Sequence, residues 1–333
     1  MILTQTPFRI SLGGGSTDIP SYYEKYGGFI FGVAIKCYMH IMIKPLRMDG
    51  RIQFNYRIQE LVDSVDQLKH DIGREALRIV GIDKSISVTF NADSPAGTGL
   101  GSSGACAVGL LNGLYTLKGE CKDTSFLAEK AFEITQRLGG LWAHDGKQDP
   151  YLAASGGFTV LYIKKDGTVD VSRPNFSENT VNKFLKHTLF FFTGEKREGP
   201  SQKILADQDN NKAYDLKEMT KEIGRAILQA FNAGDMDAFG KLMDEHWRLK
   251  KQMSNKISNE KFDLMYEIAK ANGALGGKNI GAGGGGYFLF YCPDDESIRN
   301  VTEAMAMGGW PRIPLEIDYQ GTVATEPDFQ RLL

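Results

Sequence analysis

The sequence predicts an α+β fold in two domains, on three observations. Strand-like and helix-like segments are mixed without a regular strand-helix-strand alternation. Extended patterns gather in the first half, whereas the second half is mostly helical pattern leading to one apolar strand. A chain of 333 residues also exceeds one domain of ordinary size. The least patterned stretch, 164–186, carries the turn signals Asp166-Gly167 and Arg173-Pro174, so the domain change is expected near its end, giving domains 1–185 and 186–333.

Taken in order, residues 29–43 mix β-branched and aromatic side chains, and 85–90 alternate with a period of two; both read as strands. Beyond Ser102 the chain turns to alanine and leucine with few polar side chains, so 103–117 reads as a largely buried helix. In the second half, Ile223, Ile227, Leu228 and Phe231 recur at helical spacing and stop at Asn232-Ala233-Gly234, a C-terminal cap. Residues 236–253 form a highly charged helical segment, and Phe262, Met265, Ile268 and Ala269 repeat the pattern before Asn272-Gly273. The strand 287–291 follows, entered through four consecutive glycines from Gly283 to Gly286.

Composition narrows the function classes. With 39 basic and 41 acidic residues, net charge −2, the chain lacks the basic excess of a nucleic-acid binder. Its four cysteines, Cys37, Cys106, Cys121 and Cys292, lie far apart, without zinc spacing or disulfide density, and read as packing residues in a reducing compartment. The histidines at 40, 70, 187 and 246 show no metal-ligand spacing. The first residues carry no basic leader, and the apolar run from Phe29 stops at Lys36, too short to span a membrane. A cytoplasmic protein with no membrane and no nucleic-acid partner is expected.

The most informative segment is Pro95-Ala96-Gly97-Thr98-Gly99-Leu100-Gly101-Ser102-Ser103, followed by Gly104. Glycines let the backbone approach a ligand closely, and the helix that follows offers unpaired amides with partial positive charge. That combination is an anion site. Ser102 and Ser103 can cap the helix, and one hydroxyl can reach a magnesium ion on bound phosphates. The same residues spell G-x-G-x-x-G, with Asp123 in place for a ribose, but the loop after the strand is too long for the tight dinucleotide turn. The Walker pattern is absent, because no lysine follows the loop.

Three segments, in order, resemble the GHMP kinases. They are Thr6-Pro7-Phe8-Arg9-Ile10-Ser11-Leu12-Gly13-Gly14-Gly15-Ser16-Thr17-Asp18, the loop above, and Gly281-Ala282-Gly283-Gly284-Gly285-Gly286. Further segments, Gly146-Lys147-Gln148-Asp149-Pro150-Tyr151, Thr193-Gly194-Glu195-Lys196-Arg197 and Asn272-Gly273-Ala274-Leu275-Gly276-Gly277-Lys278, resemble the branch of D-glycero-D-manno-heptose 7-phosphate kinases and related sugar kinases. The resemblance covers nearly the whole chain. It implies a ribosomal-protein-S5-like N-terminal domain that binds ATP, a ferredoxin-like C-terminal domain, and an active site between them. The implied reaction is transfer of the γ-phosphate of ATP, with Mg2+, to the anomeric hydroxyl of a heptose already carrying a 7-phosphate, for nucleotide-activated heptose and surface polysaccharide. A kinase for a non-phosphorylated sugar, or a sugar or nucleotide sensor of the same fold, is the alternative. The protein is expected as a monomer or homodimer.

The resemblance also assigns roles. Asp149 matches the catalytic aspartate that accepts the hydroxyl proton, and Arg9 would sit beside it and stabilise negative charge near the attacking oxygen. Pro95, Gly97, Gly99, Leu100, Gly101, Ser102, Ser103 and Gly104 would hold the nucleotide. Gly14, Gly15, Thr17, Asp18, Gly283 and Gly284 would meet the substrate. Galactokinase has Gly-Glu-His where this chain has Gly14-Gly15-Ser16, which argues against galactose. Arg197, in a basic segment, is the best candidate for the substrate's phosphate. For magnesium, Thr135 stands where relatives carry a glutamate, so Ser103 with Glu133 displaced along the helix is the expected site. His144 and Asp145 are read as surface or loop residues.

Overall fold

In the computed structural model, which describes residues 1–197 and 199–327, the first half of the chain runs through seven strands and five helices. These are β1 (Ile2–Gly13), α1 (Pro20–Tyr26), β2 (Gly28–Pro45), β3 (Ile52–Asn55), β4 (Gln59–Val62), α2 (Asp71–Val80), β5 (Ile86–Ala92), α3 (Ser102–Leu117), α4 (Thr124–Leu138), α5 (Gln148–Ser155), β6 (Phe158–Ile163) and β7 (Val169–Ser172). The second half runs α6 (Glu178–His187), β8 (Thr188–Phe192), α7 (Gln202–Ala206), α8 (Asn211–Ala233), α9 (Met236–Met253), α10 (Glu260–Ala271), β9 (Gly276–Asn279), β10 (Tyr287–Tyr291), α11 (Asp295–Met307) and β11 (Val323–Thr325). No helix among the described residues is long and apolar enough to cross a membrane.

A proline inside β1 shapes the sheet where it matters. Pro7 has no amide to donate, and the antiparallel ladder to β2 slips there: Pro7 faces Tyr38, but Phe8 faces Ile35. Before the slip the outer edge of β1 pairs with β11, Leu3 opposite Thr325. After it, the Arg9 amide donates to the carbonyl of Leu100, 3.0 Å away. One strand therefore serves a sheet edge first and the glycine loop second. The long β2 pairs with β5 along its second part and with β6 along its first; β3 and β4 extend one side and β7 the other, giving eight strands.

Helix α3 is apolar on every face and is buried accordingly, packed between β1 and β2 on one side and α4 and α5 on the other. A second, antiparallel sheet, β8-β10-β9, carries α10 and α11 over a core of Phe191, Trp247, Phe262, Met265 and Phe288. Each of α8 to α11 starts at an Asn or Asp, namely Asn210, Asp235, Asn259 and Asp294, whose side chain accepts a first-turn amide. Gly234 closes α8 in the left-handed conformation read from the sequence.

Three expectations change. The unpatterned stretch 164–186 contains the short strand β7 and most of α6, so the chain leaves the first sheet after Ser172 and enters the second at Thr188. The C-terminal stretch does not all stay with the second half, because β11 returns to cover the edge of β1. Cys106 and Cys292 are buried and Cys37 half-buried, whereas Cys121 is exposed.

Candidate active site

Between the two sheets lies an open-sided cleft with about 1070 Å3 of free space, counting its mouth. The glycine loop forms one wall. Its three alternate glycines, Gly97, Gly99 and Gly101, take left-handed backbone conformations. Gly101 is the N-cap of α3 and no side chain accepts from the first turn, so neither Ser102 nor Ser103 caps the helix. The first-turn amides stay available to an anion, and Gly101 to Gly104 line the cleft. The loop after β5 spans 93–101, which confirms that it is no tight dinucleotide turn.

Arg9 locks this loop to the catalytic candidate. Its guanidinium donates to the carbonyl of Gly99 at 2.6 Å and, through Nε and Nη2, to Asp149 Oδ1 at 2.8 and 2.6 Å. Asp149 lies in the first turn of α5, held against α3 by a close approach at Gly104, where a Cβ would stand 2.7 Å from the Asp149 Cβ. Both bonds from Arg9 reach the same oxygen, which leaves Oδ2 for another partner. The run 281–286 supports the loop from the other side: a Cβ at Gly281 would strike Gly99, and one at Gly286 would strike Thr98. Arg197 belongs to this side as well, since its amide donates to the carbonyl of Gly97 at 3.3 Å.

Not every expected residue reaches the cleft. Arg9, Gly15, Gly97, Gly99, Gly101, Ser102, Ser103, Gly104, Asp149 and Arg197 line it. Pro95 and Leu100 instead hold the loop, through the Thr98 hydroxyl and the Arg9 amide respectively. Thr17 is fully buried and bonds the carbonyls of Gly14 and Phe29, and Gly14 packs against Phe29, so both are structural. Gly283 and Gly284 pack against Ile257 and Lys256 behind the lining. Glu133 must be withdrawn as a metal ligand: its carboxylate bonds Lys130 and Arg137 on its own helix, away from the cleft. Thr135 lines the cleft in its stead, with its hydroxyl bonded back to Phe132 O.

Asp18 sits just behind Gly146. It is 1% exposed, accepts the Gln148 amide at 2.8 Å through Oδ2, and has no hydrogen-bond partner within the protein at Oδ1. Burial pushes its pKa up to about 6, against the pull of the Gln148 amide, and nearby Asp149 adds to the rise.

The sequence reading missed several cleft residues, four of them charged or titratable. Asp145 lines the cleft, accepts from Gln202 Nε2 at 2.8 Å, and is pushed up to about 8 by burial and by Asp149. It lies in a loop, as read, but that loop lines the cleft. His246, Lys250 and Lys278 line the opposite wall, from α9 and β9. Sequence offered only a weak signal for them, a charged helix and a lysine in a glycine-rich stretch.

The models for the GHMP kinases N terminal domain and GHMP kinases C terminal match residues 61–157 and 227–308, together more than half of the chain. The chain is 29% identical over 321 residues to a D-glycero-alpha-D-manno-heptose 7-phosphate kinase of Campylobacter jejuni, covering 91% of this chain and 93% of that protein. A crystal structure described as a sugar kinase from Campylobacter jejuni matches with a TM-score of 0.76 and 27% identity over 97% of this chain and 98% of that one. A D-glycero-D-manno-heptose 1-phosphate kinase from Bacteroides thetaiotaomicron shares the fold, with a TM-score of 0.80, 23% identity and coverage of 98% and 100%. The chain belongs to the GHMP kinases, phosphotransferases that act on hydroxyl groups with ATP as phosphate donor.

Proposed function

We propose that this protein transfers the γ-phosphate of ATP to the anomeric hydroxyl of a sugar phosphate, D-glycero-D-manno-heptose 7-phosphate, giving the 1,7-bisphosphate for nucleotide-activated heptose and surface polysaccharide. The observation that carries the kinase chemistry is the Arg9–Asp149 pair fastened to the phosphate loop. The relative from Campylobacter jejuni, matched along nearly its whole length, supports the choice of acceptor.

Phosphoryl transfer needs an oriented nucleophile, charge compensation and a destination for the hydroxyl proton. Asp149 Oδ2, left open by Arg9, accepts that proton. Arg9 holds the carboxylate in place and brings positive charge to the loop. The α3 amides and Arg197 face the donor's phosphates. Asp18 Oδ1 and Gln148 Oε1, buried acceptors with no partner within the protein, suit the hydroxyls of a sugar.

Magnesium fits only as a passenger on the nucleotide. Among the described residues no three His, Cys, Asp or Glu side chains converge as ligands. Ser103 and Asp145 are among the hard oxygen donors on the cleft wall, and Mg2+ commonly takes one or two protein ligands with phosphates and water. When bound, it would offset charge on the β- and γ-phosphates.

Incubation with ATP, Mg2+ and heptose 7-phosphate should release ADP in proportion to protein. No release with that acceptor, alongside turnover of a non-phosphorylated sugar or of mevalonate, would overturn the substrate assignment.

A further inference from the structure

The wall built from α9 and β9 holds cations that the transfer described above does not use. Lys278 Nζ donates to the carbonyl of Leu12 at 3.1 Å and lies 3.2 Å from His246 Nδ1. Lys250, one turn beyond His246, donates to the carbonyls of Asn279 and Gly281 at 2.7 and 2.6 Å. Lys278 is 3% exposed and His246 2%, yet both line the cleft. Among the described residues neither lysine has a carboxylate within salt-bridge distance, and the charges that act on them are Arg9, Arg197 and each other. A buried ammonium held only by carbonyls and an imidazole is costly unless an anion joins it.

Two hydroxyls complete the wall. Ser11 Oγ, from β1, and Thr220 Oγ1, from α8, line the same cleft, are 5% and 0% exposed, and have no hydrogen-bond partner within the protein. Four elements thus bring two lysines, a histidine and two unpartnered hydroxyls to one cleft. Burial, with repulsion from one another and from Arg9 and Arg197, pushes Lys278 and His246 well below their usual ranges and Lys250 down to about 7, as expected of basic groups crowded together without an acid.

The donor's phosphates have a site of their own in the glycine loop, the open end of α3, Arg9 and Arg197. Lys250 stands between the two regions, since it holds Gly281, which packs on Gly99 of the loop. We infer that Lys278, His246 and Lys250, with Ser11 and Thr220, form a second anion subsite that takes the phosphate carried by the acceptor. The inference rests on the kinase reading and moves that phosphate from Arg197, where the basic segment suggested it, to the α9–β9 wall.

Calorimetric titration tests it, with a non-hydrolysable ATP analogue and Mg2+ filling the donor site, and heptose 7-phosphate or inorganic phosphate as the probe. Lys278→Met should weaken both probes by roughly tenfold or more, and Thr220→Ala by roughly threefold, as loss of a charged and a neutral hydrogen bond implies. Affinity for the analogue should stay within about twofold of wild type in both, since neither touches the loop. Thr220→Ala removes a hydroxyl that bonds nothing in the protein, so it should fold even if Lys278→Met does not. Probe binding unchanged in these variants, absent from wild type, or lost only in Arg197→Met would overturn the subsite while leaving the kinase reading intact. If wild type fails to bind the analogue, the kinase reading falls, and inorganic phosphate titrated alone against the same variants still decides whether the anion site exists.

Discussion

Asp18 shows what a fully buried carboxylate costs in stability. Its folded pKa of about 6 stands above the ordinary 3.8 because burial disfavours the charge. Between those values the native protein keeps a proton that the unfolded chain has released, so stability falls as pH rises from 3.8 toward about 6. The loss should approach roughly 3 kcal/mol above that window. Asp18→Asn retains an acceptor for the Gln148 amide and removes the titration. Thermal melts across the window should show this slope reduced in the variant; an unchanged slope would show that Asp18 does not cause it. Arg9, Asp18 and Asp149 were legible in the sequence because each lies in a contiguous motif. His246 and Lys250 were not, since a charged helix does not reveal which of its faces meets β9 and the end of β1. Glu133 misled for the opposite reason: its partners Lys130 and Arg137, three residues before it and four after, were visible as helix-surface pairs and outweigh closeness to Thr135.

At the scale of elements, the contact between α3 and α5 sets the distance from the glycine loop to Asp149. Gly104 permits it, because an added Cβ would lie 2.7 Å from both the Asp149 Cβ and the Pro150 nitrogen. Gly104→Ala should therefore cost about 1–3 kcal/mol of stability, as overpacking does. It should also lower kcat by displacing Asp149; denaturant unfolding and steady-state kinetics would show both. Full stability with lowered activity would locate the effect elsewhere. Elements such as α3, α8 and β10 were readable from sequence, α8 by apolar residues at helical spacing and α3 and β10 as continuous apolar runs. The strands β7 and β11, of four and three residues, were not. Their pairing is decided by the neighbouring edges of β6 and β1, which no local pattern reports.

Of the two apolar cores, the larger runs across both halves of the molecule. Phe31 of β2 meets Phe231 of α8 with ring centroids 5.1 Å apart, and Phe231 meets Phe239 of α9 at 5.2 Å. Phe158 of β6 joins the same cluster. Because α8 and α9 also carry Thr220, His246 and Lys250, this packing fixes one cleft wall relative to the other. Scanning calorimetry should accordingly show a single cooperative transition, and two well-separated transitions would contradict a shared core. The α+β class and the cleft between two halves followed from sequence. The crossing of the core and the return of β11 depend on contacts between residues some 200 or more positions apart, such as Phe31 with Phe231, and so had no local signature.

The most direct test of the proposed chemistry is Asp149→Asn, measured for turnover of heptose 7-phosphate and for binding of ATP in the same preparation. Loss of the proton acceptor should reduce kcat by roughly 10²- to 10⁴-fold, while ATP affinity stays near that of wild type because the loop, the open end of α3 and Arg9 remain. Turnover left near the wild-type level would contradict the role of Asp149 in the transfer.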